Sequence, residues 1–156
     1  QAGDYETAEK HIKTVYFPRL LFKPIRQGFY MMQSNIAMAN KDFEGAETLM
    51  NKSIKSNSKV LGANSEGASY LQLGMIAMQN GKKNEAKKNL RIALDKGLPD
   101  KDSEATAYLQ LCGIELQSRR FSTATNLFKK AKQLNPKTPE LKEQLKLMER
   151  HLNNRR

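Results

Sequence analysis

Residues 70–94, YLQLGMIAMQNGKKNEAKKNLRIAL, decide the fold. Tyr70, Leu73, Gly74 and Ala77 recur three or four residues apart, which is one face of a helix at 3.6 residues per turn. Asn80 and Gly81 interrupt the pattern. Glycine takes the left-handed conformation that closes a helix, so the chain can reverse within a few residues. A second apolar stripe follows at Ala86, Leu90, Ala93 and Leu94. Gly74, Ala77, Ala86 and Ala93 are small enough for two helix backbones to approach closely, with Tyr70, Leu73 and Leu90 expected to fill the seam. The stretch reads as a helical hairpin. It is too short to bury its own apolar face, so it predicts neighbours of the same kind.

Those neighbours are present on both sides. The small–large–small pattern of Ala86, Leu90 and Ala93 returns at Ala124, Phe128 and Ala131. It returns less cleanly at Ala46, Met50, Ser53 and at Ala8, Ile12, Val15. The four leading alanines lie 38, 40 and 38 residues apart, and Tyr5, Phe43 and Phe121 each stand three before one of them. These residues resemble the tetratricopeptide repeat, whose period is 34 residues. One repeat reads Tyr70, Leu73, Gly74, Gly81, Ala86, Leu90, Ala93. The next reads Tyr108, Leu111, Cys112, Phe121, Ala124, Phe128, Ala131, Pro136. A weaker one reads Tyr30, Ala37, Phe43, Ala46, Met50, with Gln33 and Ser34 where Leu and Gly are usual. The excess over the family period predicts lengthened connectors. Across about residues 3–138 the resemblance implies an all-α fold, a right-handed α-α superhelix of tetratricopeptide-type helical hairpins with a C-terminal capping helix. It implies a single domain over 1–156, with a partial repeat at 1–26, repeats at about 27–60, 67–100 and 105–138, and the capping helix at 139–152.

In chain order, residues 3–16 read as the second helix of a hairpin whose first helix is missing, so the natural protein is expected to extend further back. That upstream part could hold a membrane anchor. Residues 17–26 form a connector in which Pro18 and Pro24 bar a regular helix. Its five large apolar residues are expected to fold onto the repeats; the alternative is a loop touching a membrane or partner, flanked by Arg19, Lys23 and Arg26. Helices follow at about 27–39 and 42–56, with Asp42 as N-cap, then a polar linker at 57–65. After the central hairpin, Gly97 and Pro99 break the chain, and Asp102 and Ser103 are expected to cap a helix ending near Ser118. A further helix spans about 121–134. Thr138 followed by Pro139 signals a last helix start, and Leu141, Leu145, Met148 and Leu152 give that helix one apolar stripe.

Composition narrows the function. A chain of 156 residues can bury roughly 70% of its unfolded surface. No apolar run approaches the ~20 residues that cross a bilayer. The single cysteine, Cys112, sits in a helix slot for a small packing residue, and the only histidines, His11 and His151, lie on polar faces with no second ligand at helical spacing. There is no Gly-rich phosphate loop, no paired-carboxylate motif and no zinc spacing. No catalytic residue, cofactor or metal is expected, and the protein is not expected to be an enzyme. The compartment is left open.

The resemblance also implies where a partner would bind. The first helices of the repeats line a concave groove, here Gly28, Met31, Met32, Asn35, Met38 and Ala39, then Ala68, Leu71, Gln72, Met75, Met78 and Gln79. The third helix adds Thr106, Leu109, Gln110, Gly113, Leu116 and Gln117. None is charged, and five of the seven methionines fall in this set. The carboxylate clamp that some members use for acidic tails needs cations where this chain has Met31, Gln72, Thr106 and Gln110; of its residues only Asn35 is kept. A methionine-lined groove suits an apolar or amphipathic segment of another protein, with some of the methionines alternatively packing between helices. Self-association as a homodimer is a further reading. Residues 127–156 carry nine Lys or Arg against three acids, and Lys142, Lys146 and Arg150 share one helix face. This basic patch offers an alternative in anionic membrane or nucleic-acid association, although without aromatic interleaving nucleic acid is not the expected partner.

Overall fold

The computed structural model describes residues 7, 10–12, 14–56 and 63–154, and the side chains of these except 63 and 64. Lys10 to Ile12 are helical, while Tyr5, Ala8 and most of the linker expected at 57–65 lie outside the described residues. After a short 3-10 turn at Pro18–Leu20 come α1 (Lys23–Ala39), α2 (Phe43–Lys55), α3 (Ala63–Gln79), α4 (Lys83–Lys96), α5 (Lys101–Gln117), α6 (Phe121–Gln133) and α7 (Pro139–Asn153). No strand occurs among the described residues. The helices pack as successive antiparallel pairs, α1 with α2, α3 with α4 and α5 with α6, and α7 lies on the last pair. This is the expected all-α array of hairpins with a terminal helix.

Each hairpin reverses through the same backbone device. Lys41, Gly81 and Arg119 take positive φ of 61°, 70° and 57°. The amides of Asp42, Lys82 and Arg120 then donate to the carbonyls of Ala37, Ala77 and Glu115 at 2.8–2.9 Å, and those of Lys41, Gly81 and Arg119 donate to Met38, Met78 and Leu116 at 3.0 Å. This double closure satisfies carbonyls at the end of each first helix. Only Gly81 announces it in the sequence; the other two turns hold side chains in a conformation that costs them energy. Replacing the exposed Lys41 by glycine should therefore raise stability by about 0.5–1 kcal/mol, measured as a shift in the thermal midpoint.

Between paired helices, one slot is filled three ways. Ser34, Gly74 and Cys112 are equivalent and all are buried. Ser34 Oγ donates to the Ala46 carbonyl at 2.8 Å, and lower in the same hairpin Ser53 Oγ donates to the Gln27 carbonyl at 2.9 Å. Hydrogen bonds thus replace the close contact that Gly74 makes with Leu90, where an added Cβ would come within 2.9 Å of Leu90 Cγ. Cys112 packs with Ala124 and Phe128, and burial pushes its thiol up to about 11. The thiol stays protonated and unreactive at neutral pH.

Several expectations change. Leu73 turns away from the seam with Leu90 and packs with Ile76 against Ala37, Ala46 and Met50 of the preceding hairpin, which makes α3 a wall shared by two cores. The long period is carried by the helices as well as the connectors: α1, α3 and α5 run 17 residues each, and the link from α4 to α5 is only Gly97 to Asp100. Helix α1 begins at Lys23, because Pro24 sits in its first turn where a missing N–H costs nothing. The connector before it does not fold onto the repeats. Phe17, Leu20, Phe22 and Ile25 are exposed, since the proline-set turn is too short to curl them back.

The cap of α5 is Asp100, whose Oδ1 accepts from the Ser103 amide at 2.7 Å. Asp102 instead holds the chain entering α7: its Oδ1 accepts from the Lys137 amide at 2.8 Å, and its Oδ2 accepts from the Thr138 amide at 2.9 Å and from the Thr138 hydroxyl. The Thr138 hydroxyl, followed by the amides of Lys137 and Thr138, holds the Asp102 carboxyl below its usual range. Thr138 precedes α7 as expected but makes no side-chain cap. The stripe on α7 is as expected: Leu141 is buried and Leu145, Met148 and Leu152 close over Leu109, Cys112 and Phe128.

Candidate functional site

Helices α1 and α3 carry the five methionines expected to line the groove. Met31, Met32 and Met75 are between 38% and 50% exposed, far more than a packing role leaves open. Asn35, Met38, Ala39, Gln72, Met75 and Ile76 line one cleft of about 310 Å³ between the two helices. Gln72 Nε2 donates to Asn35 Oδ1 across it, so the two amides brace the cleft and each keeps one polar atom for a ligand. Gln110 is half-buried at the equivalent position on α5.

The other candidates divide. Met38 packs against the core of the first two hairpins. Leu71 and Met78 pack beside Ala77, Ala107, Leu111 and Ile114 between α3, α4 and α5. Leu109 is buried outright in the cluster under α7, because α5 is covered on a side that α1 and α3 leave open. Leu116 also leans on that cluster and, with Gly113, Gln117 and Arg119, faces Met148 and His151 of α7 across a cleft of about 420 Å³. The open face therefore runs over α1 and α3, and α7 bounds it at α5. A separate cleft of about 440 Å³ at Asp100, Asp102, Lys137 and Thr138 has both carboxylates engaged, Asp100 in capping α5 and Asp102 in seating α7.

Lys142, Lys146 and Arg150 are exposed on α7. Their field is reduced by acids on the same helix and its neighbour: Lys146 lies 3.8 Å from Glu143, and Lys132 of α6 pairs with Glu149 at 2.7 Å. No group of His, Cys, Asp or Glu suited to a metal ion occurs among the described residues.

One buried group gave no sign of itself in the sequence. The Glu115 carboxylate is 1% exposed. Lys87 reaches its Oε1 from α4, Arg120 Nη1 lies 3.5 Å from its Oε2, and Arg91 Nη2 lies 4.0 Å from its Oε1. A related tie joins the first two hairpins, where Glu47 Oε2 accepts from Asn80 Nδ2 and Lys82 Nζ, both at 2.9 Å. Burial works to raise the Glu47 pKa, and the hydrogen bonds from Lys82 and Asn80 outweigh it and hold the carboxyl low.

Comparison with known proteins agrees with this geometry. The tetratricopeptide repeat family matches residues 67–95, the central hairpin. Among solved structures, the chain is similar to the tetratricopeptide repeat domain of Arabidopsis OM64, with 21% identity, a TM-score of 0.67, and coverage of 83% of this chain and 96% of that one. No curated protein sequence matches the chain.

Proposed function

We propose that this chain, which carries a tetratricopeptide repeat in a tetratricopeptide-repeat fold, is a non-enzymatic scaffold that holds an apolar or amphipathic segment of another protein against α1 and α3. The observation that carries this reading is the exposure of Met31, Met32 and Met75 beside an uncharged cleft. Exposed large apolar side chains grouped on one face of a folded domain mark binding surfaces, and flexible thioethers can repack around varied partners. Asn35 and Gln72 supply orientation at little desolvation cost because they already satisfy one another. No cation stands in the cleft to balance a carboxylate, so acidic tails are poor ligands.

The test is capture of a partner at moderate salt by the wild type and by a variant with Met31, Met32 and Met75 changed to Gln. All three side chains are exposed, so the variant should keep its circular dichroism and thermal midpoint. Loss of capture by the variant supports the cleft as the site. Equal capture by both, or micromolar binding of a peptide with an acidic C-terminus in a calorimetric titration, would overturn the reading.

A further inference from the structure

A second surface lies at the start of the array, away from the methionine cleft. Between Glu9 and Asp42 the sequence has six Lys or Arg and no acid. The structure brings two of these cations together with two from α2: Arg19, Arg26, Lys52 and Lys55 line one cleft of about 320 Å³ with Tyr30 and Ser56, and no acidic side chain stands in its wall. Arg26 Nη1 donates to the Arg19 carbonyl at 3.0 Å, which fixes the turn, while Arg26 Nε is buried without a hydrogen-bond partner. Four cations around one cleft with no counter-charge repel one another, and an anion would relieve that. On the same turn Tyr16, Phe17, Leu20, Phe22 and Ile25 are 60% to 84% exposed. They project outward from a 3-10 turn and the first turn of α1, and none of them lines the clefts described above. A peptide helix needs walls around its anchors; a flat apolar phase does not. Aromatic and aliphatic side chains alternating with Arg and Lys are the composition that sits at a lipid headgroup boundary.

We propose that this corner of the array rests on an anionic membrane surface. Lipid phosphate oxygens enter the cleft of Arg19, Arg26, Lys52 and Lys55, and Phe17, Leu20 and Phe22 reach the acyl boundary. The attachment is peripheral, since no described helix is long and apolar enough to cross a membrane. It uses neither the methionine cleft nor the basic face of α7, and it holds whether or not the cleft binds a peptide.

The experiment is sedimentation of the full chain with vesicles of phosphatidylcholine alone and of phosphatidylcholine with roughly one-third phosphatidylglycerol. Binding is expected on the anionic vesicles only, and salt should weaken it. Phe17→Ser with Leu20→Ser should weaken it at least about tenfold, and Arg19→Glu with Lys23→Glu by a similar factor. A variant with Lys142, Lys146 and Arg150 changed to Gln should bind like the wild type. All these positions are exposed, so thermal midpoints serve as the folding control. The proposal fails if the wild type ignores anionic vesicles, if the Phe17 and Leu20 variant binds as well as the wild type, or if the α7 variant loses binding. Saturation by inorganic phosphate with no vesicle binding would make the cleft a free-phosphate site, and capture of an acidic amphipathic peptide with no vesicle binding would make the occupant a protein; either overturns it.

Discussion

Replacing Gly67 by alanine should destabilise the array by about 3 kcal/mol, the upper part of the range for overpacking. A Cβ on Gly67 would stand 1.8 Å from the Gly97 carbonyl oxygen and 3.0 Å from that of Ala93. Both obstacles are backbone. Gly97 cannot swing aside easily, because it holds φ 86° and ψ 143°, a region open in practice to glycine alone. To admit one methyl group, α3 would have to move off the end of α4, and α3 is the wall shared by two cores. Gly74→Ala meets the Leu90 side chain instead, which can rotate in part, so its cost should be smaller, about 1–2 kcal/mol. Thermal denaturation of the two variants checks the order. If Gly67→Ala melts with the wild type, the close approach of α3 to Gly97 is wrong.

Glu115→Ala should cost a similar amount, about 3 kcal/mol, for an electrostatic reason. Lys87, Arg91 and Arg120 converge on this one buried carboxylate. Removing it leaves Lys87, only 16% exposed and poorly able to recover its hydration, facing a cavity, while Arg91 and Arg120, 63% and 61% exposed, stay hydrated. Glu115→Leu alone should also destabilise. Combining it with Lys87→Met should recover part of the loss, because the pair is then replaced by apolar groups of similar shape. Urea unfolding of the single and double variants measures this. Full stability in Glu115→Ala would show that the cations reach water freely without it.

The parts of the fold that were legible in the sequence are those set by local pattern. The stripes at Tyr70–Ala77 and Ala86–Leu94 became α3 and α4. Asp42 caps α2 as read, accepting from the Gly45 amide at 2.9 Å, and the stripe on α7 lies on the last hairpin. What escaped depends on residues distant in sequence. Asp100 and Asp102 are both acids at a helix start, and only the arrival of Lys137 and Thr138 decides which one caps and which one clamps. Glu115 looks like a surface residue until α4 and the Arg120 turn close over it. The turns at Lys41 and Arg119 carry no glycine, so nothing local marks them. The candidate face was half legible: exposure at Met31, Met32 and Met75 follows the repeat register, whereas Leu109 is turned inward by the covering helix α7, whose place over α5 no repeat pattern records.

The three left-handed turns have a consequence for what any partner must look like. Because the same backbone closure sets each reversal, Met32, Gln72 and Gln110, each nine residues before a left-handed position, fall at matching heights on α1, α3 and α5, and the bond from Gln72 to Asn35, one helical turn beyond Met32, shows that α1 and α3 are neighbours there. Packed helices lie about 8–10 Å apart. The face is therefore ruled like a scale, with Met32, Gln72 and Gln110 marking its divisions. A helical ligand, rising 1.5 Å per residue, would meet successive divisions about every five to seven residues; an extended one, at about 3.3 Å per residue, would meet them about every two or three. The spacing of the contact residues along a captured segment would thus reveal, before any complex is solved, whether it lies on this protein as a helix or as a strand.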